Sequence, residues 1–110
     1  HRWLFPKVNA VVHHGGCGTT AAGLIEGKPS IICPFFGDQP FWGRHVERLG
    51  VGPSPIPQSK MTVDRLCRAI DRARNDSTMR ENAATLGSRL SIEDGTSHAV
   101  AFITQWMNSQ

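Results

Sequence analysis

His13, His14 and Cys17 stand beside Gly15, Gly16, Gly18, Thr19 and Thr20 in the stretch VVHHGGCGTTAAGL, residues 11–24. Side chains of these types suit three chemistries: a metal centre, a Cys–His nucleophile or a cradle for phosphate. Adjacent residues on a strand point to opposite faces, so His13 and His14 do not ligate one ion together. His1, His45 and His98 share no ligand-like spacing with them, and we expect no metal. Cys17 near a helix start meets one requirement of a thiol nucleophile. No third group stands at a recognisable offset to orient a Cys–His pair, so Cys17 is expected only to fit a tight turn.

The phosphate reading has positive support. A strand ending at His14 runs into Gly15, Gly16 and Gly18 and then into a helix expected to start near Thr19. Glycines let a backbone turn sharply and come close to a ligand. A helix N-terminus adds unpaired N–H groups and the positive end of its dipole. Thr19 and Thr20 supply hydroxyls, and His14 at the strand tip can donate to a diphosphate oxygen. The spacing is not G-x-G-x-x-G and no G-K-[ST] follows, so neither a nicotinamide cofactor nor a P-loop NTPase fits. On residues alone two readings stay open: an anion or nucleotide-diphosphate site, and a glycine-rich connection beside a core His13.

A second group follows one strand later. CPFFGDQPFW, residues 33–42, puts Asp38 and Gln39 just past the carboxyl end of an apolar run, the usual ligand edge of a parallel sheet. A carboxylate beside an amide accepts and donates together, which suits the vicinal hydroxyls of a sugar. The alternative is that Asp38 only caps a helix and Gln39 is only solvated.

These residues need elements to hold them. NAVVHH (9–14) and SIICPFF (30–36) read as buried strands, with a helix over 19–27 between them. Residues 38–50 form a second helix, with Asp38 as N-cap, Pro40 in the first turn and Gly50 as the stop. VGPSPIP (51–57) is extended and stands as a third strand. Three helices follow. In 62–75 Thr62 caps, and Val63, Leu66, Cys67, Ile70 and Ala73 make the apolar stripe. In 77–90 Thr78 and Glu81 form a capping box, with Met79, Ala83, Leu86 and Leu90 inward. In 96–108 the stripe is Ala99, Val100, Ile103, Trp106 and Met107. The order β-α-β-α-β-α-α-α predicts an α/β fold, a Rossmann-like parallel sheet with flanking helices. Too few strands are present to complete such a sheet, so we expect a partial domain truncated at its N-terminus.

Composition narrows the classes. Of 110 residues, 39% are hydrophobic and 19% charged, as in globular chains. The net charge of +3 is a weak lean towards anions. Arg65, Arg68, Arg72 and Arg74 alternate with apolar positions at helical spacing and read as a solvated face, without the interleaved aromatics of a nucleic-acid platform. We expect no nucleic-acid partner. No run of 18 apolar residues is present to span a membrane, and the opening HRWLFPKV lacks signal-peptide features. Cys17, Cys33 and Cys67 are odd in number, with Cys33 and Cys67 expected buried; a reducing, cytoplasmic setting follows.

Taken together, WLFPKVNAVVHHGGCGTTAAGL, GKPSIICPFFGDQPFWG and LGVGPSPIP, nearly unbroken from residue 3 to 57, resemble the C-terminal donor-binding half of family-1 UDP-glycosyltransferases of the two-domain GT-B fold. The likeness is strongest to sterol 3-beta-glucosyltransferases. His14 and Asp38 are 24 residues apart, as in that family's donor box. The resemblance implies that 1–110 is a partial UDP-glucose-binding domain. His14, Gly16, Gly18, Thr19 and Thr20 would hold the donor diphosphate, and Asp38 and Gln39 the hexose hydroxyls. It further implies inverting transfer of glucose to a sterol or other lipophilic hydroxyl, with neither metal nor cofactor beyond the donor substrate. The acceptor pocket and general base belong to an N-terminal domain outside these residues, so no histidine here is the base and the 110 residues alone are expected to be inactive. Peripheral membrane association of the full-length protein is a further implication. Rival readings are a stand-alone donor-binding subunit of a split enzyme and a relative acting on a macrolide or glycopeptide. Ala22 stands where plant-type members carry a ribose-binding Glu, and Cys17 where the family has Ala or Trp.

Overall fold

Val11 and Val12 favour extended backbone, and their short run forms β1 (Val11–His13), paired in parallel with β2 (Ser30–Ile32). Val11 lies opposite Ser30, Val12 opposite Ile31, and His13 opposite Ile32. The computed structural model describes residues 3–92 and 95–109, the side chains of 95–98 excepted. His1 and the side chain of His98, weighed above as ligands, lie outside the described residues.

Successive strand residues face opposite ways, so β2 serves two cores. Ile31 packs with Cys33, Ile56, Met79 and with Ala69 and Ala73 of α3 (Val63–Asn75). Ile32 packs with Leu24 of α1 (Cys17–Ile25), Val46 of α2 (Gln39–Arg48), Val51, and Ala83 of α4 (Ser77–Ser91). Both isoleucines are fully buried, which is the doubly covered parallel sheet expected from continuous apolar runs.

The third strand is corrected. Residues 51–58 do lie along β2 on the side away from β1: Ser30 N–H donates to Val51 O (3.0 Å), Ile56 N–H to Ile32 O (2.9 Å) and Gln58 N–H to Pro34 O (3.2 Å). Pro53, Pro55 and Pro57 have no N–H to give, so the segment follows the sheet edge without forming a ladder.

Three helix expectations shift. In α3 the buried face is Ala69 and Ala73 with Leu66 and Ile70 partly covered, whereas Val63 and Cys67 are exposed. The stripe is turned by about one residue because small alanines allow closer approach to β2. In α4 the cap is Asp76, whose side chain accepts from Met79 N–H at 3.0 Å, and not the Thr78 box. In α5 (Gly95–Asn108) the apolar stripe is not buried: Val100, Ile103, Trp106 and Met107 are all exposed. The extents of 60 × 29 × 25 Å and a radius of gyration of 16.3 Å, against about 13 Å for a compact 100-residue domain, describe an elongated chain. Among the described residues no helix is long and apolar enough to cross a membrane. The arginines of α3 are solvent-facing, Arg68 in an exposed pair with Asp64 at 3.1 Å and Arg72 paired at 3.5 Å with the half-buried Asp76.

Candidate functional site

Helix α1 begins at Cys17, two residues before the expected start, with Gly16 as an N-cap that has no side chain to offer. The first intrahelical bond is Thr20 N–H to Gly16 O at 2.8 Å. The amides of Cys17, Gly18 and Thr19 therefore have no internal acceptor and present a positive helix end. Gly18 is exposed, and a Cβ there would meet no atom within 4 Å. Packing does not demand glycine at that position; its effect is to leave the amides uncovered.

The two histidines divide their work. His14 is exposed and its Nδ1 accepts from Gly16 N–H at 2.7 Å. An accepting Nδ1 leaves the proton of the neutral ring on Nε2, so His14 presents a donor to solvent. Gly16 acts through this ring: a Cβ on it would collide with His14 Cε1, and its own amide is already committed. His13 Nδ1 accepts from Gly15 N–H at 3.0 Å, while its Nε2 is buried without a partner. Burial, helped by the neighbouring His14 ring, lowers the His13 pKa to about 4. The unfolded chain then binds a proton that the folded one refuses between about pH 6.5 and pH 4. Stability is accordingly expected to fall as pH drops through that window. Thermal melts between pH 7 and pH 4 check it, and a His13→Asn variant should lose that share of the acid limb.

Thr20 departs from its expected role. It is 3% exposed, with Oγ1 buried, and faces the interior one residue beyond the open first turn. Cys17 is an exposed free thiol. Cys33 is buried, and burial raises its thiol pKa.

Gly15 joins the two motifs. Its φ of +93° is open to glycine, and a Cβ there would lie 2.6 Å from Ile32 Cγ2 and 3.1 Å from Gln39 O. The turn after β1 is thus pressed against the backbone of the first residue of α2, which brings the two motifs to the same sheet edge. Asp38 is exposed and lies just before α2, but makes no side-chain cap bond. Its Oδ2 accepts from Trp42 Nε1–H at 2.9 Å. Gln39 Oε1 accepts from Phe35 N–H (2.8 Å) and Phe36 N–H (3.1 Å), which fastens the loop and leaves the amide NH2 to donate outward. Trp42 escaped the sequence reading, although its i+4 offset from Asp38 on a helix was a usable signal. A cleft of about 490 Å³ lined by Pro55, Ile56, Arg65, Ala69 and Arg72 lies apart from this edge.

This arrangement has counterparts in known proteins. Residues 2–100 match the family described as erythromycin biosynthesis protein CIII-like, C-terminal domain. A sterol 3-beta-glucosyltransferase of Arabidopsis thaliana is 52% identical over 100 residues, covering 91% of this chain and 16% of that protein. One from Emericella nidulans is 48% identical over 103 residues, 94% of this chain and 7% of the relative. The crystal structure of the glycotransferase of kitacinnamycin superposes with a TM-score of 0.84 at 29% identity, over 93% of this chain and 26% of that one. The chain therefore spans a small share of the relatives it matches. The parallel pair of strands with helices on both sides is part of a GT-B fold. By sequence match and by fold, this chain belongs to the erythromycin biosynthesis protein CIII-like C-terminal domains of the family-1 glycosyltransferases.

Proposed function

We propose that these residues hold the diphosphate and hexose of UDP-glucose for inverting transfer to a sterol 3β-hydroxyl, as part of a longer enzyme. The observation that carries this reading is the contact of Gly15 with Gln39, which sets an N–H-rich turn beside a carboxylate and an amide. In such a transfer the acceptor oxygen attacks the anomeric carbon and UDP departs with added negative charge. His14 Nε2–H and the free amides of Cys17, Gly18 and Thr19 are donors suited to that charge, and they are in place before the reaction begins. The remaining Asp38 oxygen and the Gln39 NH2 accept from and donate to hexose hydroxyls. The similarity to sterol 3-beta-glucosyltransferases supports the acceptor class. A macrolide or other lipophilic acceptor is a second reading, supported by the match to the erythromycin biosynthesis protein CIII-like family.

Titration with UDP and with UDP-glucose, followed by backbone amide shifts, tests the donor site. UDP alone is expected to move Gly15–Thr20, and UDP-glucose to add Asp38 and Gln39. Silence at both groups, or identical responses to both ligands, would count against it. An acceptor panel run on the chain joined behind an acceptor domain separates sterol from macrolide.

A further inference from the structure

The start of α2 holds a carboxylate that does not cap the helix. Asp38 precedes the first residue of α2 with a helical backbone (φ −84°, ψ −3°), not the extended form from which an aspartate turns its carboxylate onto the amides of the first turn. The carboxylate accepts from Trp42 Nε1–H at 2.9 Å. Trp42 is itself held. Its ring meets Phe41 at 5.0 Å between centroids and 79° between planes, and His45 at 6.1 Å and 76°, while Phe41 and His45 stack on each other at 5.9 Å and 7°. The indole offers one donor and no acceptor, so it engages Oδ2 and leaves Oδ1 free.

From this geometry we infer that Trp42 is a positioning residue, which fixes the Asp38 carboxylate for the hydroxyls of the transferred sugar. The inference rests on the reading of Asp38 as a sugar-binding group. Without the indole N–H, the exposed carboxylate is free to rotate and the sugar loses a fixed acceptor.

The test compares the full chain with Trp42→Phe and Asp38→Ala by calorimetry against UDP and UDP-glucose. Trp42→Phe should weaken UDP-glucose about 5- to 10-fold, the scale of one net hydrogen bond, with UDP affinity unchanged. A merely structural tryptophan would weaken UDP and UDP-glucose alike. If Asp38→Ala loses the preference for UDP-glucose while Trp42→Phe keeps it, the positioning role is overturned and the sugar site stands. If neither variant changes the preference, the sugar reading of Asp38 fails and the inference falls with it. Should Trp42→Phe also lose UDP, replacing Trp42 with 3-benzothienylalanine removes only the N–H, and the same two results decide.

Discussion

Replacing His14 with alanine is expected to lower glucosyl transfer about 100- to 1,000-fold, the usual effect of deleting one preorganised donor to developing negative charge. The assay joins the chain behind the acceptor domain of a sterol glucosyltransferase and follows transfer from UDP-glucose. The size of the effect comes from the tautomer. Because Nδ1 is occupied by the Gly16 amide at 2.7 Å, the ring arrives with its proton on Nε2 and needs no rearrangement. The ring is exposed and carries no part of the core, so the variant should keep its melting temperature. His14→Gln, which retains an N–H donor of similar reach, should recover part of the rate. Undiminished turnover in His14→Ala would remove His14 from the diphosphate site. A fall in turnover matched by a fall in stability would do the same.

The largest effect on folding is expected far from the ligand edge, at Gly52. A Cβ at this position would collide with Ser30 O and lie 2.5 Å from Val46 Cγ1. Neither neighbour has room to move: Ser30 is a fully buried residue of β2, and Val46 is a fully buried residue of α2. Gly52→Ala must push residues 51–56 off β2, opening the Ser30–Val51 bond and the packing of Val51 and Ile56. A loss of about 3 kcal/mol is expected from such overpacking, and a melting temperature lower by more than roughly 10 °C. Gly18→Ala is the control. With open space around its Cβ and a helical position, it should fold at least as well as the parent, because alanine is the better helix former. It should still weaken UDP, since the added methyl covers the exposed amides of the first turn. Equal melting temperatures for Gly52→Ala and the parent would show that the strap is not bound to β2 as described.

Much of this molecule was legible in local chemistry. The β-branched pair Val11–Val12, the glycine turn, the Thr62 cap and the repeat of Met79, Ala83, Leu86 and Leu90 each act over a few residues, and each element formed where its pattern stands. Thr62 accepts from Arg65 N–H at 3.1 Å, as an N-cap should. The candidate site was legible for the same reason: His14 follows β1 directly and Asp38 ends the loop that follows β2, and a parallel sheet delivers both of those loops to one edge.

Other features were decided by neighbours that sequence spacing does not name. Helical periodicity marks an apolar face to within a residue or so, and the docking of α3 on Ile31 and Ile56 chose Ala69 and Ala73 over Val63 and Cys67. Three prolines left 51–57 extended but unable to form a ladder, although β2 holds it at both ends. Thr20 looked equivalent to Thr19, but one further step of about 100° around α1 turned its hydroxyl into the fold. At the start of α2, the residue type and position of Asp38 predicted a cap; its backbone is already helical there, and its carboxylate accepts from Trp42 instead. The sequence by itself determined which groups could bind a nucleotide sugar, because that depends on residue type and local backbone. Only the tertiary structure decided which of them stand exposed at the sheet edge, because that depends on competition among neighbours for each donor and each buried surface.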